Sequence, residues 1–250
     1  MREKLVVVFT ISVLIASLAV VGKPAMADTK SDVQALMENV RKHEVVDNTT
    51  VLDDPPLEVL AELPRYMDDP DHSVRTGALT LALGVARRNP GLDIQQKVVQ
   101  FLLNVAESGD TSGLSRLASE RLVSFSRAAF TDESKKAVER LMARPEPWPE
   151  VVLLAGVINL QAAKPQLEKW SQGEDNKIGW FGRRTWAAHL ALARMGVETE
   201  TDYCIKRVES EKDSVMRATR LLRDLAYIRQ PQTVAVLVNY LIDIIGNRLR

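Results

Sequence analysis

Arg75-Thr76-Gly77-Ala78-Leu79-Thr80-Leu81-Ala82-Leu83 returns 109 residues later as Arg184-Thr185-Trp186-Ala187-Ala188-His189-Leu190-Ala191-Leu192, with six of nine positions identical. Both stretches put small or apolar side chains at helical spacing. That pattern points to one helix-packing solution used more than once along a stacked array. Stacked helix pairs present a long surface more readily than they enclose a catalytic pocket.

Outward from these stretches the same periodicity persists. Apolar residues recur every three or four positions, and no segment alternates apolar and polar as a half-buried strand does. The spacing predicts an all-α chain with an initial helix at 31–43. An outer set of helices follows at 56–68, 92–107, 131–143, 164–172, 200–209 and 231–246. An inner set is expected at 72–88, 112–129, 149–162, 178–195 and 212–228. Asp69-Pro70-Asp71-His72-Ser73 supplies cap residues and a proline that cannot continue a helix. Ser108 to Ser112 and Ser171 to Asn176 are polar loop clusters. Thr131-Asp132-Glu133 reads as a helix start and Gly246-Asn247 as a stop. Pro145-Glu146-Pro147-Trp148-Pro149 favours a stiff extended segment where the angle between successive pairs should change.

The inner helices begin 40, 37, 29 and 34 residues apart, a degenerate period in the range of helix-pair repeats. Here the chain resembles the HEAT-repeat family, whose second helix opens with Asp, then Val-Arg, then Ala and Leu at helical intervals. Asp71, Val74-Arg75, Ala78 and Leu81 carry the pattern well, as do Arg184, Ala187 and Leu190 apart from the preceding Val. Arg116 with Leu122, and Met216-Arg217, carry it in part. Leu225 through Val234 is similar to the family's inter-repeat turn. So are Leu153-Leu154-Ala155 through Leu160 with Pro165 and Leu167, although Val152 stands where the Arg belongs. Tetratricopeptide arrays are the runner-up, but their aromatic pattern is missing. The resemblance covers residues 55–245 and implies a right-handed α-solenoid of about five HEAT-like antiparallel helix pairs. It also implies that Arg75 and Arg184 belong to a structural ladder, each reaching an acidic or carbonyl partner in the neighbouring repeat.

The amino terminus carries a different signal. Met1-Arg2-Glu3-Lys4 precedes an apolar run of 17 residues, Leu5 to Val21, and then Ala25-Met26-Ala27. A basic start, an apolar middle and small residues at the cleavage positions read as a secretory signal, residues 1–27. The alternative is an uncleaved anchor. Residues 28–54 then form an N-terminal helix and linker, and 55–250 the repeat domain. Without Arg2, Glu3, Lys4 and Lys23 the remaining 223 residues hold 30 basic against 32 acidic side chains with signs interspersed. No basic stripe for nucleic acid is present. No second apolar run reaches spanning length, so no membrane insertion is expected after cleavage. The expected location is periplasmic or secreted. Cys204 is the only cysteine, which excludes an internal disulfide and reads as a buried free thiol.

Catalytic constellations do not emerge. His43, His72 and His189 are the only histidines, and none has a second ligand at metal-binding spacing. No nucleophile elbow, zinc-protease motif or phosphate loop occurs. No cofactor and no metal are expected. The Asp53-Asp54 and Asp68–Asp71 clusters are accounted for by helix capping. Three of four tryptophans fall between Trp170 and Trp186. Trp and Arg are favoured at binding hot spots, which makes Trp180, Phe181 and Arg183 the expected partner-binding residues. Trp186 is expected in the core, filling space that Gly77 leaves open in the other copy.

The final helix is apolar nearly all round, whereas a terminal repeat normally shows a polar outer face. The resulting expectation is a non-enzymatic protein-binding scaffold or adaptor of the bacterial cell envelope. The alternatives are a self-associating envelope structural protein, using the C-terminal helix, or a helical lyase like those that attach bilins to phycobiliproteins.

Overall fold

Short polar side chains start the helices where the sequence places them. Asp28 accepts from the Lys30 amide, Asp71 from the Ser73 amide at 2.8 Å, and Thr131 from the Ser134 amide at 3.2 Å. Each satisfies an amide that the first helical turn leaves without a partner. The computed structural model describes residues 28–44, 49–108, 113–173, 184–210 and 215–248. These residues are helical, with no strand among them. Residues 1–27, where a secretory signal is expected, lie outside the described residues.

In chain order the helices are α1 (Thr29–Arg41), α2 (Thr49–Leu52), α3 (Pro56–Glu62), α4 (His72–Arg88) and α5 (Leu92–Glu107). Then come α6 (Leu114–Leu122), α7 (Asp132–Met142), α8 (Pro149–Ile158) and α9 (Lys164–Ser171). The chain closes with α10 (Arg184–Arg194), α11 (Glu198–Ser210), α12 (Val215–Ile228) and α13 (Pro231–Arg248). Single 3-10 turns at Leu63–Tyr66, Arg127–Ala129 and Gln161–Ala163 extend three of the connections.

Several boundaries differ from the periodicity. The expected inner helix at 112–129 stops at Leu122, where the Ser124 hydroxyl bonds the Arg121 carbonyl and the chain turns to bury Phe125 and Phe130. The helix expected to 162 ends at Ile158, because Asn159 takes the left-handed conformation with φ 55°. Gly246-Asn247 does not stop α13, which continues to Arg248. The short α2 was not anticipated.

The helices pack as two rows. α1, α4, α6, α8, α10 and α12 touch successively in one, the inner row. In the outer row α3, α5 and α7 touch successively, as do α11 and α13, and α9 joins the array through α10. Rungs between the rows join chain neighbours such as α4 with α5 and α10 with α11. Hydrogen bonds and ion pairs repeat the same step. Arg88–Asp53, Arg116–Glu150, Arg140–Glu107, Arg194–Tyr227 and Trp186–Asp224 join residues 33 to 38 positions apart. Those between exposed arginines and carboxylates are worth about 0–1 kcal/mol each, so they set register more than stability.

The core divides at α10. One apolar cluster runs from Val33 to Leu192 and includes Ala187, Ala188 and Ala191. A smaller one joins Trp186, Leu190 and Ala193 to Cys204, Val208, Leu225 and Ile228. Leu153 and Tyr227 pack against both. The repeated positions Ala78/Ala187, Leu81/Leu190 and Ala82/Ala191 are buried in both copies.

The third position of the repeat is not equivalent. A methyl group on Gly77 would meet Val40 of the preceding α1 at 3.2 Å, whereas Trp186 turns to Asp224 and Tyr203 of the following helices. The space at Gly77 is therefore filled by α1, and Trp186 answers a different neighbour.

Leu81 and Leu190 are 2% and 3% exposed. Leu81→Ala and Leu190→Ala should each cost about 2–5 kcal/mol in denaturant unfolding, the range for buried leucine truncation. A cost under about 1 kcal/mol, typical of a surface change, would contradict the assignment of the inward face.

Candidate functional site

Because the inner-row helices stand side by side, their shared face forms a groove of about 560 Å³. Four helices contribute to it. α6 supplies Arg116 and Glu120, and α8 supplies Pro149, Glu150 and Leu153. Trp186, Ala187, Leu190 and Arg194 come from α10. The α12 wall carries Arg223, Asp224, Ala226 and Tyr227, with Arg229 just beyond its end.

Several polar groups on this lining are held by named partners. Both Nε and Nη2 of Arg116 donate to Glu150 Oε1 at 3.0 Å, and the guanidinium lies 5.8 Å from the centre of the Trp148 ring. Trp186 donates its indole N–H to Asp224 Oδ2 at 2.8 Å. Burial pushes the Asp224 carboxyl above the ordinary carboxylate range, and the Trp186 N–H and Arg223 pull it partly back. Arg194 donates to the Tyr227 carbonyl and lies 4.7 Å over the Tyr227 ring. The Tyr227 hydroxyl donates to the Leu153 carbonyl at 2.5 Å, and burial pushes its pKa up.

Trp180, Phe181 and Arg183, the expected binding residues, lie outside the described residues. Arg184, the first residue of α10, sits 5.3 Å over the Trp170 ring. Arg75 folds back on its own helix start, with Nη1 donating to the Asp69 carbonyl at 2.5 Å and the Pro70 carbonyl at 3.1 Å. Its carbonyl partners are therefore in the turn before α4 and not on a neighbouring helix. One turn into the helix, the guanidinium reaches the chain entering it before any neighbour.

Contacts to side chains or carbonyls 33 to 34 positions away are made by Arg116, Arg140 and Arg194. The sequence signals these pairs only by a separation of 33 to 34 positions. The acidic cluster is absorbed structurally: Asp71 caps α4, while Asp69 accepts from the Asp71 amide and from Arg41.

Two other places hold chemistry-bearing groups. His189 Nδ1 meets Glu200 Oε2 at 2.5 Å, and the imidazole stacks on Tyr203 with centroids 4.1 Å apart. The nearby Cys204 is fully buried, and burial pushes its thiol far above the ordinary range, so it stays protonated and inert. This cluster ties α10 to α11. A second cavity of about 510 Å³ lies between α1 and α4, lined by Leu36, Met37, His72, Thr76 and Leu81 among others. Among the described residues no three His, Cys, Asp or Glu side chains are grouped to hold a metal ion. No helix among them is long and apolar enough to cross a membrane. No known protein family, curated protein or solved structure matches the chain.

The raised Asp224 carboxyl fixes a sign. Its folded-state proton affinity exceeds the unfolded one, so its ionisation costs stability as pH rises above the unfolded value of about 3.9. Asp224→Asn keeps an acceptor for the Trp186 N–H and removes that cost. Its stability relative to the parent should improve between acidic and neutral pH in parallel urea titrations. A difference that does not change with pH would contradict the burial of this carboxylate.

Proposed function

We propose that this is an exported, HEAT-like right-handed solenoid that acts as a protein-binding scaffold in the bacterial periplasm or outside the cell. About five helix pairs make up the array on this reading. The groove on the inner row is its docking surface. The observation that carries the proposal is the makeup of that groove: Trp186 and Tyr227 beside four arginines on one lining. These are the side chains that supply most binding energy at protein interfaces. Support for the architecture comes from two-row packing between neighbours and from partner contacts at a one-repeat spacing. The export assignment rests on residues 1–27 as a secretory signal. Trp180, Phe181 and Arg183 remain part of the proposed surface, since they immediately precede α10 in the sequence.

One observation favours a second reading, self-association through the last helix. Val234, Val238 and Ile242 are 51%, 48% and 60% exposed at four-residue steps on α13. The stretch from 231 to 242 holds no charged residue. Nothing comparable favours the lyase alternative.

The two readings separate in one experiment on tagged mature protein, comparing cross-linked partner recovery with light scattering. The scaffold reading expects Arg223→Glu, and the pair Trp180→Ala with Arg183→Ala, to reduce recovery while leaving the molar mass unchanged. If recovery survives both, and Val238→Asp instead lowers the molar mass, the envelope-structural reading replaces it.

A further inference from the structure

Building on the groove as a docking surface, we propose that its occupant is a partner's internal peptide segment with an apolar side chain beside a carboxylate side chain. The floor sets the first requirement. Leu153 and Tyr227, both half-buried, form an apolar strip over the buried Leu190 that side chains of similar kind would cover.

The charges set the second requirement. Arg116 is already occupied by Glu150, and Asp224 by the Trp186 N–H with Arg223 beside it. Arg194 and Arg229 differ. Among the described residues neither is ion-paired to a carboxylate. The two guanidinium groups line the same groove: burial lowers the Arg194 pKa most, Tyr227 raises it, and the charge of Arg229 lowers it further. Two cations on one lining, neither ion-paired to a carboxylate, form a site where an incoming carboxylate relieves repulsion and gains charge-assisted hydrogen bonds. Arg229 is exposed and free to swing toward a ligand, while Arg194 is held by the Tyr227 carbonyl and ring. The unpaired carboxylate of the lining, Glu120, comes from α6, three inner helices away from Arg229, so the groove is polar along its length.

A chain terminus would fit less well than a side-chain carboxylate. Terminal carboxylates are captured by clustered backbone N–H groups. Arg194 is the last residue of α10 and Arg229 follows the last residue of α12, where the free backbone groups are carbonyls. Only the side chains there can hold an anion.

The test is a selection of dodecapeptides, displayed within a longer chain so that both ends are blocked, on the mature protein and on Arg229→Glu. Wild type should enrich peptides with Asp or Glu next to Leu, Ile or Phe. The charge-reversed protein should enrich Lys or Arg at the same place. A synthetic selected peptide should lose about tenfold in affinity by anisotropy when its acid becomes Gln, and should bind less tightly in high salt. Peptides enriched for apolar residues alone, bound equally by both proteins and displaced by Leu153→Asp, would overturn the acidic occupant and leave the groove standing. No enrichment on either protein would overturn the groove itself.

Discussion

Three inner helices meet at one point where no side chain can fit. Gly156 of α8 lies against the backbone of Ala191 in α10, and the Tyr227 hydroxyl from α12 closes over both. A methyl group on Gly156 would stand 2.3 Å from that hydroxyl, 2.7 Å from the Ala191 Cα and 2.9 Å from its carbonyl oxygen. Tyr227 bridges 74 positions of sequence with a single hydrogen bond to Leu153. Its hydroxyl is buried, so losing that acceptor would leave a polar group without water or a partner, at roughly 1–3 kcal/mol. Close approach and obligatory pairing together hold α8, α10 and α12 at one spacing.

The groove follows from that spacing. Leu153 and Tyr227 belong to the junction and also line the groove, so the groove floor is continuous with the core. α10 contributes to both apolar clusters, Ala187, Ala188, Ala191 and Leu192 to one and Trp186, Leu190 and Ala193 to the other. Arg194 is drawn into the same arrangement by its bond to the Tyr227 carbonyl, which leaves its charge beside that of Arg229.

Much of the secondary structure is legible in the sequence because it is local. Asp71 and Thr131 mark helix starts by their own side-chain chemistry, and the periodicity of 92–107 is strong enough to fix α5 at both ends. What the sequence hides depends on distant neighbours. Asn159 ends α8 through a left-handed backbone that no periodicity announces. Arg75 matches a family pattern but answers to its own turn. Gly77 and Trp186 occupy one position of a shared motif, yet α1 meets the first and α12 the second. The groove is the least legible feature, since its charges come from four helices spread between residues 116 and 229. Sequence reasoning singled out Trp180, Phe181 and Arg183 just before α10, whereas the groove is lined by a set that only the packing gathers.

The junction can be tested by the sign of one substitution. In an ordinary helix interior, replacing glycine by alanine stabilises by about 0.5–1 kcal/mol. Here the added methyl must push apart two backbones and a hydroxyl, an overpacking cost of about 1–3 kcal/mol or more. Urea unfolding of Gly156→Ala should therefore reveal a less stable protein, in spite of the better helix former. A more stable one would mean that α8 and α10 do not meet at this glycine, and the arrangement built on their contact would fall.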